Sequence, residues 1–201
     1  SKNFNKTEIF GLINNKSLVH YLDEKSFKEK FNYKHNQGIA INFSGDLTSS
    51  IESLETFNKN ACFIICDQIK DPQNLGQIIR TSECAGISGI ILPRHKSVHI
   101  TNTVIQVSQG SFFNLDIFLE TNINNTIKYM KSHGFWIVGI ENGLDSKKWY
   151  EIDYKGKTAI IVGSEGEGIR QLVRKSCDFL GTIPMKGKIN SLNVSATVSA
   201  I

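Results

Sequence analysis

The sequence has no apolar run long enough to cross a bilayer. Phe63-Ile64-Ile65 and Ile160-Ile161-Val162 fall far short of the ~20 residues a spanning helix needs, so no membrane span is expected. The N-terminus has neither a starting Met nor a basic segment followed by an apolar stretch, and it reads as the boundary of a longer chain rather than a signal peptide. Cysteine is sparse: Cys62, Cys66, Cys84 and Cys177 have no CxxC spacing, the pattern of buried reduced thiols in a cytoplasmic protein rather than of a metal site or disulfide framework. The five histidines include one close pair, His95 and His99, with no carboxylate or cysteine at ligand spacing, so no metal is expected. A GxSxG elbow and a P-loop are also missing, which removes support for hydrolase and nucleotide-triphosphatase chemistry.

A strong charge of one sign is lacking too. The net charge is +4 and the pI about 8.8, with 15 Lys+Arg against 12 Asp+Glu in residues 61–201 and 8 against 7 in residues 1–60. That balance permits an RNA partner without demanding one. What is present is the composition of a folded domain, 40% hydrophobic and 21% charged over 201 residues. One main domain is expected from that length.

From Ala61 onward short apolar runs alternate with helical periodicity, the pattern of an α/β domain with a mostly parallel sheet flanked by helices. Cys62–Cys66 is apolar without alternation, as a strand buried on both faces should be. Asp71-Pro72 breaks the chain, and Leu75, Ile78, Ile79 and Ser82 recur on one helical face up to Gly86. Further strands are expected at Gly89–Leu92, Phe135–Ile140, Thr158–Val162 and Phe179–Ile183. Helices are expected from a Thr121 cap to Gly134, near Ile169–Ser176, and over the small residues Val194–Ala200. Residues 1–45 read as a separate small element, with a helix near Ser26–Tyr33 and a strand around Ile39–Phe43. Residues 46–60 read as a connection with an apolar patch at Ile51 and Leu54, and residues 61–201 as the main domain.

In such sheets ligands gather beyond the carboxyl ends of the strands, and three polar loops fall there. The first, Asp67–Arg80, holds Asn74 and Arg80; alone, it reads first as a capping Asn and a solvated Arg. The second, Gly163-Ser164-Glu165-Gly166-Glu167-Gly168, has glycines at positions 1, 4 and 6, whereas a dinucleotide fingerprint needs 1, 3 and 6. The third runs from Ile183-Pro184-Met185 to Ser191-Leu192-Asn193 and leads into the last helix; alone, it also reads as an ordinary Ser-capped helix.

Taken in order, the three loops resemble the SpoU, or TrmH-like, branch of the SPOUT RNA methyltransferases, over the chain from about Cys62 to its end. The motifs that carry the resemblance are Asn74-Leu75-Gly76-Gln77-Ile78-Ile79-Arg80-Thr81-Ser82, Ile161-Val162-Gly163-Ser164-Glu165-Gly166-Glu167-Gly168, and Ile183-Pro184-Met185 with Ser191-Leu192-Asn193-Val194-Ser195. The resemblance implies a C-terminal deep trefoil knot and S-adenosyl-L-methionine held by Gly163, Ile183, Met185 and Leu192. It also implies a homodimer, and a catalytic set of Asn74, Arg80, Glu165 and Asn193 with Ser191 nearby. The implied reaction is methylation of an RNA ribose 2′-oxygen without a metal. Family members assign Arg80's counterpart as the base; a guanidinium with a pKa above about 12 suits phosphate gripping and alkoxide stabilisation better.

His35-Asn36-Gln37-Gly38-Ile39 resembles, with an inserted Asn, the His-Gln-Gly element preceding the catalytic domain in 23S ribosomal RNA guanosine 2′-O-methyltransferases of this branch. A ribosomal RNA guanosine is therefore the expected target, with a partial N-terminal substrate-binding element ahead of the catalytic domain. The final helix is expected to be cut short at Ile201, inside a helix that in the family packs at the dimer interface. The alternatives are a transfer RNA guanosine methyltransferase, a non-catalytic RNA-binding module of the same fold, and a nicotinamide-binding enzyme, the last disfavoured by the glycine spacing.

Overall fold

The computed structural model describes residues 19–31, 38–40, 48–57, 60–143 and 146–201. His35–Gln37 lie outside them, as do Tyr33 and residues 41–43 of the expected short strand. The chain divides into two compact units, Ser1–Asp46 and Leu47–Ile201. In the first, α1 (Glu24–Lys30) starts two residues before the expected helix, because the Asp23 carboxylate accepts from the Ser26 amide at 2.9 Å and caps it.

The second unit contains β1 (Ala61–Asp67), α2 (Pro72–Cys84), β2 (Gly89–Pro93), α3 (Asn102–Val107), β3 (Asp116–Glu120) and α4 (Ile123–Ser132). These are followed by β4 (Trp136–Ile140), β5 (Lys147–Lys148), β6 (Lys157–Gly163), α5 (Gln171–Lys175), β7 (Phe179–Thr182) and α6 (Val194–Ala200). The seven strands form one sheet in the order β3-β2-β1-β6-β4-β7-β5, with every pairing parallel. Each strand of β1 and β6 feeds both faces: Ile64, Cys66, Ile160 and Val162 pack on one side, Phe63, Ile65, Ala159 and Ile161 on the other. The first face is covered by Leu75, Ile78 and Ile79 of α2 with Val194 and Val198 of α6, the second by Ile123, Ile127 and Met130 of α4 with Val173 of α5. Each fully buried Ile or Leu contributes about 1.5–3 kcal/mol, so the continuous apolar runs and the sandwiching helices account for one another.

Three details differ from the sequence reading. Strand β3 and helix α3 occupy a stretch to which the sequence reading assigned no element. Asn122, not Thr121, caps α4, its side chain accepting from the amides of Asn124 and Asn125. The stretch after Asp46 does more than connect: Ile51–Thr56 forms a 3-10 turn with Leu54 fully buried, and Ser49 bridges Phe118 of β3.

Candidate active site

The register of the sheet assembles the loops. Seven residue pairs join β1 to β6 and end with Asp67 opposite Gly163, while β4 ends with Ile140 opposite Val162. The segments leaving β1, β4, β6 and β7 therefore emerge at one carboxyl edge. Asp67, fully buried, locks two of them: its carboxylate accepts from the Arg170 backbone amide at 2.9 Å and from Arg170 Nε at 2.8 Å, with Arg170 Nη2 2.6 Å away.

Beyond β1 the chain turns into α2 through Asp71, which caps the helix by accepting from the Gln73 amide, with Pro72 in the first turn where its missing N–H costs nothing. Asn74 is thus not the cap; it sits inside the first turn, 5% exposed, turned toward the loops. Gly76 is required two residues later, since a Cβ there would lie 2.6 Å from Val107 Cβ of α3. Gly163 is required more strongly: a Cβ would lie 2.0 Å from the Gly168 carbonyl carbon, within the loop that the Gly168 amide closes on Ser164 O at 2.9 Å.

Three of the expected residues meet directly. Asn74 Nδ2 donates to Glu165 Oε1 at 2.5 Å, Asn193 Nδ2 donates to the same oxygen at 2.7 Å, and Asn193 Nδ2 also lies 3.0 Å from Asn74 Oδ1. Asn193 does a second job, because its Oδ1 accepts from the amides of Ser195 and Ala196 and so caps α6. The last helix is Asn-capped, not Ser-capped, and the cap is a member of the triad.

Next to this triad is a cleft of about 370 Å³ lined by Gly163, Glu165, Ile183, Met185, Ser191 and Leu192, among others. All four residues expected to hold a cofactor are on its wall, as is Ser191. Arg80 is placed apart: it lies further along α2, exposed, with no ion pair or side-chain hydrogen bond among the described residues. Sequence reasoning missed Glu141 and Asn142, which also line the cleft. Asn142 accepts from Thr182 Oγ1 at 2.6 Å and donates to the Asn190 carbonyl, while Glu141 is 3.3 Å from Arg174 Nε. Both follow a strand end, the one signal that could have found them. Among the described residues no group of three His, Cys, Asp or Glu could hold a metal, and no helix is long and apolar enough to cross a membrane.

Residues 61–201 match the family model described as the SpoU rRNA Methylase family. The chain belongs to this family. A protein of Staphylococcus saprophyticus assigned by name to the TrmH family of tRNA/rRNA methyltransferases is 35% identical, over 96% of this chain and 78% of its own length. A Bacillus subtilis protein assigned in the same way is 32% identical over 91% and 74%. Among solved structures, an rRNA methyltransferase from Sinorhizobium meliloti superposes with a TM-score of 0.76 at 24% identity, covering 89% of this chain and 67% of its own. At that identity the likeness shows the fold. The parallel sheet flanked by helices is thus that of a SpoU methyltransferase domain.

Proposed function

We propose that this member of the SpoU family transfers a methyl group from S-adenosyl-L-methionine to a ribose 2′-hydroxyl of RNA. The observation that carries the reading is the triad of Asn74, Glu165 and Asn193, drawn from three distant loops and placed against a cleft that takes a small molecule. The residues present fit the cofactor. The cleft lies within the ~300–1,000 Å³ range of small-molecule sites; Gly163 lets the Gly168 backbone close in on it and so shapes the loop that lines the cleft, Ile183, Met185 and Leu192 offer apolar wall for a purine, and Glu165 offers a carboxylate. A solved SpoU methyltransferase from Streptomyces viridochromogenes contains AdoMet, which supports the same choice.

When bound, S-adenosyl-L-methionine supplies an electrophilic methyl group. The chain's own task is to bring a weakly acidic hydroxyl into line and to stabilise the charge that develops on its oxygen. Arg80, exposed and without a partner among the described residues, is placed to grip the neighbouring phosphate and to offset the alkoxide as the proton leaves. The triad fixes the loops around the reacting groups, with Glu165 and Asn193 available to orient the ribose or the cofactor. A homodimer that adds residues around Arg80, and the trefoil knot, belong to the same proposal.

The target we favour is ribosomal RNA, with a guanosine of 23S RNA first, supported by the His35–Ile39 element. Transfer RNA is the second reading, since the relatives' names carry both substrates. The test is incubation with S-adenosyl-L-methionine labelled in its methyl group and with transcripts of 23S ribosomal RNA and of transfer RNA. Label is expected in RNA, at one nucleotide whose 3′ linkage then resists alkaline cleavage. Label confined to bases, or calorimetric binding of NAD but not of S-adenosyl-L-methionine, overturns the reading.

A further inference from the structure

Resting on that reading, we infer that Gln77 contacts the RNA strand, offering its side-chain amide as a hydrogen-bond donor to a backbone phosphate oxygen beside the target ribose. Asn74, Gln77 and Arg80 follow one another at three-residue intervals on α2. Each interval turns about 60° short of a full circle, so Gln77 stands between the triad residue and the arginine in both height and angle.

Gln77 is exposed, yet it is held. Ser195 Oγ, on a residue only 5% exposed, donates to Gln77 Oε1 at 2.8 Å and shares its proton with Asn193 Oδ1 at 2.6 Å. One rung further, Thr81 Oγ1 and Ser199 Oγ are 3.4 Å apart, so the seam between α2 and α6 keeps its alignment. Fixing a glutamine on a helix surface costs rotamer freedom, and the Ser195 hydroxyl already has an acceptor in Asn193 Oδ1. The fixed end of the amide is its oxygen; Nε2 has no partner among the described residues. A donor pre-set between the triad and a phosphate-gripping arginine suits a backbone oxygen, the group that Gln and Asn side chains commonly hold to set a nucleic acid's register.

Gln77→Glu separates this role from a purely structural one. It keeps an oxygen for Ser195 but replaces the outward donor with negative charge. The measurement is fluorescence anisotropy of a labelled 23S ribosomal RNA transcript with S-adenosylhomocysteine present, beside calorimetry of S-adenosyl-L-methionine and light scattering. RNA binding is expected to weaken at least about tenfold in Gln77→Glu, and less in Gln77→Ala, with cofactor affinity, melting temperature and assembly mass at wild-type values. A Glu variant that binds RNA within twofold of wild type shows a packing clip only and overturns the inference. A changed assembly mass places Gln77 against a second copy and overturns it too. Because RNA binding is read without turnover, a wild-type chain that transfers no methyl group sinks the catalytic reading while leaving Gln77 to be judged by its own affinities.

Discussion

Asn193 Nδ2 lies 3.0 Å from Asn74 Oδ1, and the two asparagines are 119 residues apart in the chain. The contact exists because α6 returns to the first turn of α2 over the face of β1 and β6. Both amides then converge on one carboxylate oxygen of Glu165, so the positions of three loops are interdependent.

Arg80→Ala is expected to abolish methyl transfer, by at least about 10²-fold under single turnover. Its binding of S-adenosyl-L-methionine by calorimetry and its melting temperature should stay at wild-type values, because Arg80 is exposed and has no ion pair or side-chain hydrogen bond among the described residues. Full activity in this variant removes the role assigned to the guanidinium.

Asn193 can be separated into its two functions. Serine caps helices about as well as asparagine, whereas alanine costs about 1 kcal/mol. Asn193→Ser should therefore melt near wild type while losing the amide donor to Glu165 and, with it, most activity. Asn193→Ala should lose both stability and activity. Equal activity of the Ser variant and wild type would show that the donor to Glu165 is idle.

Gly163→Ala is expected to weaken cofactor binding sharply and to destabilise the chain by about 1–3 kcal/mol, the cost of forcing a group into filled space. The added carbon would have to displace the Gly168 carbonyl. Calorimetry and denaturant unfolding give both quantities, and unaltered values in both would refute the steric argument.

The thiols predict a pH dependence. Burial pushes Cys62 from its ordinary 9.0 up to about 11, and Cys66 and Cys177 up to about 12, with the Asp67 charge adding to the effect at Cys66. The folded chain thus holds these protons more tightly than the unfolded one. Their contribution to stability is complete below about pH 9 and is lost as the pH rises through 11 to 12. At pH 8 a thiol reagent should modify exposed Cys84 quickly and the other three only on unfolding; rapid uptake of more than one equivalent by the native chain would contradict this.

How much of this could be read from residues alone depended on locality. Strands β1 and β6 were legible because burial on both faces leaves unbroken apolar runs. Strand β3, Asp-Ile-Phe-Leu-Glu at the sheet edge, has acids at both ends and only a short apolar centre, so periodicity had little to act on. The two residues of β5 carry no pattern at all. In the site, Asn74, Glu165 and Asn193 could be named from ordered motifs, but their convergence on one oxygen could not. Asp67 with Arg170, Gln77 with Ser195, and Asn142 with Thr182 were invisible because each pair is made by tertiary register across 40 residues or more.

The position of β6 also bears on how the chain is made. It fills the slot between β1 and β4, yet it is the sixth strand in order, with Ala61 waiting for Lys157. Until residue 163 has left the ribosome, β1 has one open edge and β4 has no neighbour, each presenting unpaired N–H and C=O groups to any other strand. Closure by so distant a segment is intrinsically slow. During synthesis the half-finished sheet is therefore the stage most exposed to aggregation, and arrest before Lys157 should leave a nascent chain that chaperones hold, while release just past α6 should not.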